Sequence, residues 1–353
     1  HSFTNSGWFG FIFLAYVGVV SVTFFTAFFL RRKLLRSPNR LESMVSREAG
    51  FLLNNWAFMA LLVVVFWGTL LPVFSESLGG QRITVGPRFF NTMAGPLTLF
   101  LLLLTGAGPL IAWRRATLAS LQRQFVMPVG LGIVTLIATA TLYWGEVGPW
   151  TLGCWSLSAF VVGTVAQEYW RAIAVRVSRR NEGVFQALGH LLRTNQQRYG
   201  GYVVHLGIVL LLIGVSGAAF NEERLENIQP GDSMEIADYR LRYLTAEAIP
   251  AQHYGGARAR IALYQGGRGL HVMTPEKRMY WLEQQPTSVP AIYSSAREDL
   301  YLVLAAIEPD GSATLKIYRN PLVNWIWIGG GVFILGSLII MWPHPQRDPI
   351  SKA

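Results

Sequence analysis

The chain has 353 residues, of which 52% are hydrophobic, 13% aromatic and only 14% charged, well below the roughly 25% charged residues of soluble chains. That excludes an ordinary soluble enzyme. Thirty Lys and Arg against 20 Asp and Glu leave a net charge of +10, but the basic residues flank apolar runs, which is a membrane pattern and not a nucleic-acid footprint. The single cysteine, Cys154, excludes a disulfide framework and every multi-cysteine metal site. No basic n-region with a small-residue cleavage site precedes the first apolar run, so no signal peptide is expected. A chain that starts at His1 and not at Met reads as one piece of a longer protein.

About 20 residues at 1.5 Å each cross the hydrocarbon core. Seven stretches qualify: residues 7–30, 51–74, 94–113, 126–144, 150–170, 201–220 and 322–342. They lack the alternation of barrel strands, so helices are expected. The fold class expected is an all-α polytopic membrane protein with a small β-rich domain inserted between the last two helices. Six basic residues follow the first stretch (Arg31, Arg32, Lys33, Arg36, Arg40, Arg47), three follow the third (Arg114, Arg115, Arg123) and six, from Arg171 to Arg198, follow the fifth. The loop after the second holds two (Arg82, Arg88) and that after the fourth none. The positive-inside rule then puts the first, third and fifth loops and the tail 343–353 in the cytoplasm, and His1 outside.

The loop 75–93 carries Gly79-Gly80, Val85-Gly86-Pro87 and Phe89-Phe90. It reads either as an aromatic, glycine-rich outer cover for an apolar ligand or as an interfacial re-entrant segment. Most of the 12 tryptophans, among them Trp144, Trp150, Trp325 and Trp327 at span ends, suit an aromatic belt. Residues 221–321 differ in composition, with 11 basic and 13 acidic residues and no long apolar run. Short segments rich in Tyr, Ile, Val and Leu (239–244, 257–264, 300–307 and 313–318) alternate with turn pairs such as Pro230-Gly231, Gly266-Gly267 and Asp310-Gly311, which predicts a small β domain, on the outer side by the same topology.

An ionisable residue inside a membrane is a functional candidate by default. His205 lies about five residues into the sixth span, roughly 7–8 Å from its inner boundary. A neutral imidazole there suits iron or another transition metal, and Gly201 and Gly207 on either side leave room for a flat, bulky group. The alternative is a histidine hydrogen-bonded between helices or reaching the interface. No other histidine falls within a span, so a second imidazole ligand would come from outside this chain. His190, His253, His271 and His344 read as solvated or interfacial and share no metal spacing. Glu168 reads as an i,i+3 partner of Arg171. Phosphate-loop, His-Glu-x-x-His, nucleophile-elbow and Rossmann patterns are absent from the sequence, so no catalytic residue is assigned.

Several strings, in their order and spacing, resemble the C-terminal half of the CcmF/NrfE haem lyase family of bacterial cytochrome c maturation. They are Ser46-Arg47-Glu48 with Leu52-Leu53-Asn54-Asn55, Trp67-Gly68-Thr69-Leu70-Leu71-Pro72, Val85-Gly86-Pro87-Arg88-Phe89-Phe90-Asn91, Gly106-Ala107-Gly108-Pro109-Leu110, His205-Leu206-Gly207, Pro230-Gly231-Asp232-Ser233, Pro275-Glu276-Lys277-Arg278, Asp299-Leu300-Tyr301 and Trp325-Ile326-Trp327. In the β domain, Thr287-Ser288-Val289-Pro290-Ala291-Ile292 departs from the family's usual Thr-Glu-Ala-Ala-Ile string.

The resemblance implies that His205, in the His-Leu-Gly string, is an axial ligand of a resident haem b. It also implies that His1, where the family reads Ser-Val-His-Ala-Phe, is an outer ligand of haem delivered by the haem chaperone CcmE. The implied reaction adds the two thiols of an apocytochrome c Cys-x-x-Cys-His segment across the haem vinyl groups. Implied partners are an N-terminal half carrying the WWD segment and the partner histidines, CcmE, apocytochrome c with the factors that reduce and present its thiols, membrane lipid and quinol as electron donor. The implied location is the bacterial inner membrane. Two other functions compete. One is a haem or small-molecule permease, against which stands the lack of midplane charges, broken helices and inverted repeats. The other is a non-catalytic scaffold of the maturation complex.

Overall fold

The structure is a computed structural model and describes residues 7–34, 43, 45–77, 81, 83–111, 117–250, 253–282 and 286–343. The chain divides into two compact units, His1–Met127 and Pro128–Ala353.

The first unit contains α1 (Gly7–Arg31), α2 (Arg47–Ser77) and α3 (Pro87–Ala107), the last closed by a 3₁₀ turn at Gly108–Leu110. On α1 apolar side chains such as Trp8, Phe11, Phe24 and Leu30 are exposed, as lipid-facing residues are. α2 and α3 approach through Gly68, where an added Cβ would lie 2.7 Å from the Phe90 ring. Arg47 donates from Nε to the Gly108 carbonyl (3.1 Å) and from Nη2 to the Pro109 carbonyl (3.0 Å). It thereby satisfies acceptors that a helix end leaves without partners.

Within the segment 75–93 both ends are helical, and the described residues outside helices are 81 and 83–86. α2 runs to Ser77 and α3 starts at Pro87, because a proline at the first helical position needs no N–H partner and already has the helical φ. Phe89 and Phe90 are therefore helical, with ring centroids 5.4 Å apart.

α4 (Leu118–Leu142) crosses into the second unit, which continues with α5 (Pro149–Arg180), α6 (Val184–Thr194), α7 (Gln196–Ser216) and α8 (Asn324–Met341). Among the described residues seven helices, α6 excepted, are long and apolar enough to cross a membrane. α4 meets α5 through two glycines. An added Cβ on Gly132 would lie 3.1 Å from the Ser156 carbonyl, and one on Gly163 would lie 3.2 Å from Pro128.

α7 and α8 join by a heptad ladder of glycines, Gly200, Gly207 and Gly214 on one helix and Gly329 and Gly336 on the other. A Cβ on Gly207 would sit 2.6 Å from the Phe333 amide nitrogen, and one on Gly336 would sit 2.7 Å from that of Val204. Lipid supplies no hydrophobic drive between helices, so close backbone packing of this kind is what holds such a pair together.

Residues 222–321 form a β-sandwich, so "all-α" describes only the membrane-crossing part. One antiparallel sheet has the order β1 (Glu222–Ile228), β10 (Ala313–Pro321), β9 (Glu298–Ile307), β8 (Ala291–Ser294). The other has β2 (Ser233–Ile236), β3 (Tyr239–Pro250), β4 (Tyr254–Gln265), β6 (Glu276–Tyr280), β7 (Pro286–Val289), with β5 (Arg268–Met273) on β4. Alternate residues point inward. Leu300, Leu302 and Leu304 of β9 and Leu315 and Ile317 of β10 meet Leu241 and Tyr243 of β3 and Ile261 and Leu263 of β4 in one core.

The sandwich grips the end of the α7–α8 hairpin. The Asn324 side-chain amide donates to Asp299 Oδ1 at 2.8 Å, and the Leu322 amide donates to the Arg297 carbonyl at 2.7 Å. Leu322 takes a left-handed φ of 62° to turn the chain into α8.

Candidate functional site

α5 and α7 run antiparallel, and three sets of polar contacts fix their register. Near one end the Trp155 indole N–H donates to Ser216 Oγ at 2.7 Å, and the Cys154 thiol lies 3.7 Å from the Leu212 carbonyl. Stacked beside them, Trp155 and Phe220 have ring centroids 5.8 Å apart. At the other end the Tyr169 hydroxyl donates to the Tyr199 carbonyl at 2.8 Å. There Glu168, only 7% exposed, pairs with Arg198 and accepts from the Tyr202 hydroxyl at 3.1 Å.

His205 lies between these ends. At 100° per residue it falls on the side of α7 shared by Tyr202, Val209 and Leu212, roughly opposite the glycines that face α8. Its ring centroid is 6.4 Å from that of Tyr202. Its Nδ1 is buried and has no hydrogen-bond partner among the described residues, which costs about 1–3 kcal/mol unless a ligand answers it.

One helical turn earlier on the same side, Gly201 opens onto free space: a Cβ there would meet nothing within 4 Å. The two glycines flanking His205 thus do different work. Gly201 leaves room beside the imidazole, whereas Gly207 is filled by the backbone of α8.

An imidazole with a nitrogen unanswered among the described residues, on the same side of α7 as the free space at Gly201, suits haem iron as a ligand. Among the described residues no group of three or more His, Cys, Asp and Glu side chains is placed to hold a metal ion. His1 and His344 lie outside the described residues. His190, His253 and His271 are exposed and sit on α6, before β4 and on β5, outside the spans.

Two features are not evident from the sequence. The Glu168–Arg171 contact exists but is long, at 3.7 Å. Glu168's close partner is Arg198, thirty residues further on. The second feature is the Tyr202 hydroxyl, three residues before His205, which ties that carboxylate to the histidine's own helix.

Comparison with known proteins follows the same lines. The family described as "CcmF C-terminal beta-sandwich" matches residues 219–321. "Cytochrome c-type biogenesis protein CcmF" of Haemophilus influenzae is 30% identical over 98% of this chain and 52% of its own length. The protein of the same name from Escherichia coli is 28% identical over 99% of this chain and 52% of its own. The chain belongs to the CcmF family. It spans about half the length of the curated relatives it matches.

A solved structure titled "Cytochrome c Heme Lyase CcmF" covers 85% of this chain and 46% of its own, with a TM-score of 0.67 at 22% identity, and so shares the fold. The seven long apolar helices among the described residues make this a multi-pass membrane protein.

Proposed function

We propose that this chain is the C-terminal part of a cytochrome c haem lyase and that His205 supplies one axial ligand to a resident haem b. The observation that carries this is the buried, unpartnered Nδ1 of His205 beside the open space at Gly201. Bound there, haem b would relay single electrons that keep delivered haem iron reduced, with quinol as the donor.

The chain's own residues act by position. The Glu168–Arg198–Tyr202 contacts set the register of α7 against α5, and that register fixes the depth of His205. The glycine ladder clamps the other side of α7 to α8. The sandwich, held to α8 through Asn324 and Asp299, is proposed to stand on the periplasmic side of the inner membrane. There an N-terminal part carrying the WWD segment and partner histidines, the chaperone CcmE and apocytochrome c with its thiol-presenting factors would assemble.

His1 is proposed as an outer ligand of the haem substrate. Each thiol adds to a vinyl group of that substrate, forming one carbon–sulfur bond and returning its proton to the neighbouring vinyl carbon. The addition itself therefore needs no oxidant. Both thiols come from the apocytochrome, in keeping with a chain whose one cysteine, Cys154, is buried.

The test is a haem assay and a reduced-minus-oxidised spectrum of the protein purified from its natural gene, beside His205→Ala. A low-spin b-type signal lost in the variant at unchanged membrane insertion is expected. Equal haem in both proteins would make His205 a packing residue.

A further inference from the structure

The joint between α5 and α7 takes no part in the His205 site. Both helices are long and apolar enough to cross a membrane, which puts residues 181–195, which connect them, at a membrane boundary. Inside this joint sits α6, an eleven-residue helix about 16 Å long.

Its residues divide into three sides. Ala187 and Leu191 are buried against the protein. Phe185, Leu188 and Leu192 form an apolar row at i, i+3, i+7 spacing, and Phe185 is 90% exposed. Gln186, His190 and Arg193 form an exposed polar row. A short helix with one protein-facing, one apolar and one polar side, attached to two spans, has the form of a helix lying in the membrane interface.

The charges around it are one-sided. From Glu168 to Arg198 there are six arginines and two glutamates. Arg171 and Arg198 turn to Glu168, and Arg176 holds Glu182 with two bonds of 2.8 Å. Arg179 and Arg180 in the last turn of α5 and Arg193 on α6 have no carboxylate partner among the described residues. The Arg176 guanidinium holds the Glu182 carboxyl below the usual carboxylate range, and the charges of His190 and Arg180 add to it. Arg180 and His190 therefore share the neighbourhood of the α5–α6 turn.

We propose that this joint binds anionic phospholipid, with Phe185, Leu188 and Leu192 entering the acyl boundary and Arg179, Arg180 and Arg193 holding the phosphate headgroups. The occupant is a lipid, not a soluble anion, because the arginines adjoin an apolar row, led by the exposed Phe185, on a helix joined to two membrane spans. The proposal stands whether or not His205 ligates haem.

The test reconstitutes the full natural protein in vesicles of mixed phosphatidylcholine and phosphatidylglycerol and measures the lipids that remain bound by native mass spectrometry. Phosphatidylglycerol is expected to be enriched over its bulk share, and R179Q/R180Q/R193Q is expected to lose about fivefold of that preference per arginine. Equal enrichment in the triple variant would overturn the assignment, as would displacement of the lipid by inorganic phosphate. Should the triple variant fail to insert, Phe185→Cys carrying a spin label in otherwise unchanged protein decides the matter. A label reached by oxygen at the headgroup boundary supports the proposal, and one reached only by water-soluble relaxants overturns it.

Discussion

Gly207 of α7 and Gly329 of α8 face each other so closely that a Cβ on Gly207 would lie 2.9 Å from the Gly329 carbonyl oxygen, and a Cβ on Gly329 would lie 2.8 Å from the Gly207 carbonyl oxygen. Nothing larger than hydrogen fits at either position without moving a helix. Gly207→Val or Gly329→Val is therefore expected to destabilise the hairpin by about 1–3 kcal/mol through overpacking. Gly330→Ala should be close to neutral in space, since a Cβ there meets nothing within 4 Å. Thermal unfolding of the three variants in detergent checks the contrast.

Glu168 and Arg198 are unequal partners. The carboxylate is 7% exposed and the guanidinium 54%. Removing Glu168 leaves an arginine that can turn to water, whereas removing Arg198 leaves a buried carboxylate with only the Tyr202 hydroxyl and the more distant Arg171, the more costly of the two losses. Arg198→Ala is expected to cost about 2 kcal/mol or more, Glu168→Ala less, and the double variant less than the sum. A double-mutant cycle of unfolding midpoints measures this directly.

How much of this architecture can be read in the sequence depends on the range of the interaction. The span that carries His205 is legible because an uninterrupted apolar run needs no tertiary information. The pairing of Glu168 with Arg198 is not, because it joins helices thirty residues apart in sequence and competes with the nearer Arg171.

The two glycines around His205 look equivalent in sequence, and only the packing of α8 separates them. α6 escapes notice because its eleven residues fall well short of the roughly 20 that mark a membrane span. Among the strands, β3, β4, β9 and β10 announce themselves as short runs rich in Tyr, Ile, Val and Leu between turn pairs. β1 does not, since an exposed edge strand with Glu222, Glu223 and Glu226 carries the charges that protect an edge and not the pattern of a core.

Glu276 governs the acid behaviour of the sandwich. Burial pushes its carboxyl up, but the guanidinium groups of Arg278 and Arg258 outweigh this and hold it below the usual carboxylate range. A folded value below the unfolded one of about 4.3 gives stability that is complete above the unfolded value and is lost as pH falls through the folded one. Amides paired between β4 and β6 should keep their exchange protection at neutral pH and lose it below about pH 4. In Glu276→Gln that acid limb should flatten. Hydrogen exchange followed against pH distinguishes the two profiles.

Gly201 offers a test of the open space beside His205. Gly201→Val extends into a region where a Cβ meets no atom within 4 Å, so the fold should tolerate it. Occupied haem requires that space, and the purified variant is expected to lose most of its haem while its unfolding midpoint stays near that of the parent. Unchanged haem content would put the group elsewhere.

The central claim is that the His205 imidazole, and not merely the shape of α7, holds the haem iron. His205→Gly removes the ligand while leaving a cavity of its own size, and the decisive measurement is its visible spectrum before and after free imidazole is added. The account predicts that the low-spin b-type spectrum is lost in the variant and returns with imidazole. A spectrum that persists without imidazole, or one that never returns although the variant is folded and haem is supplied, would contradict it.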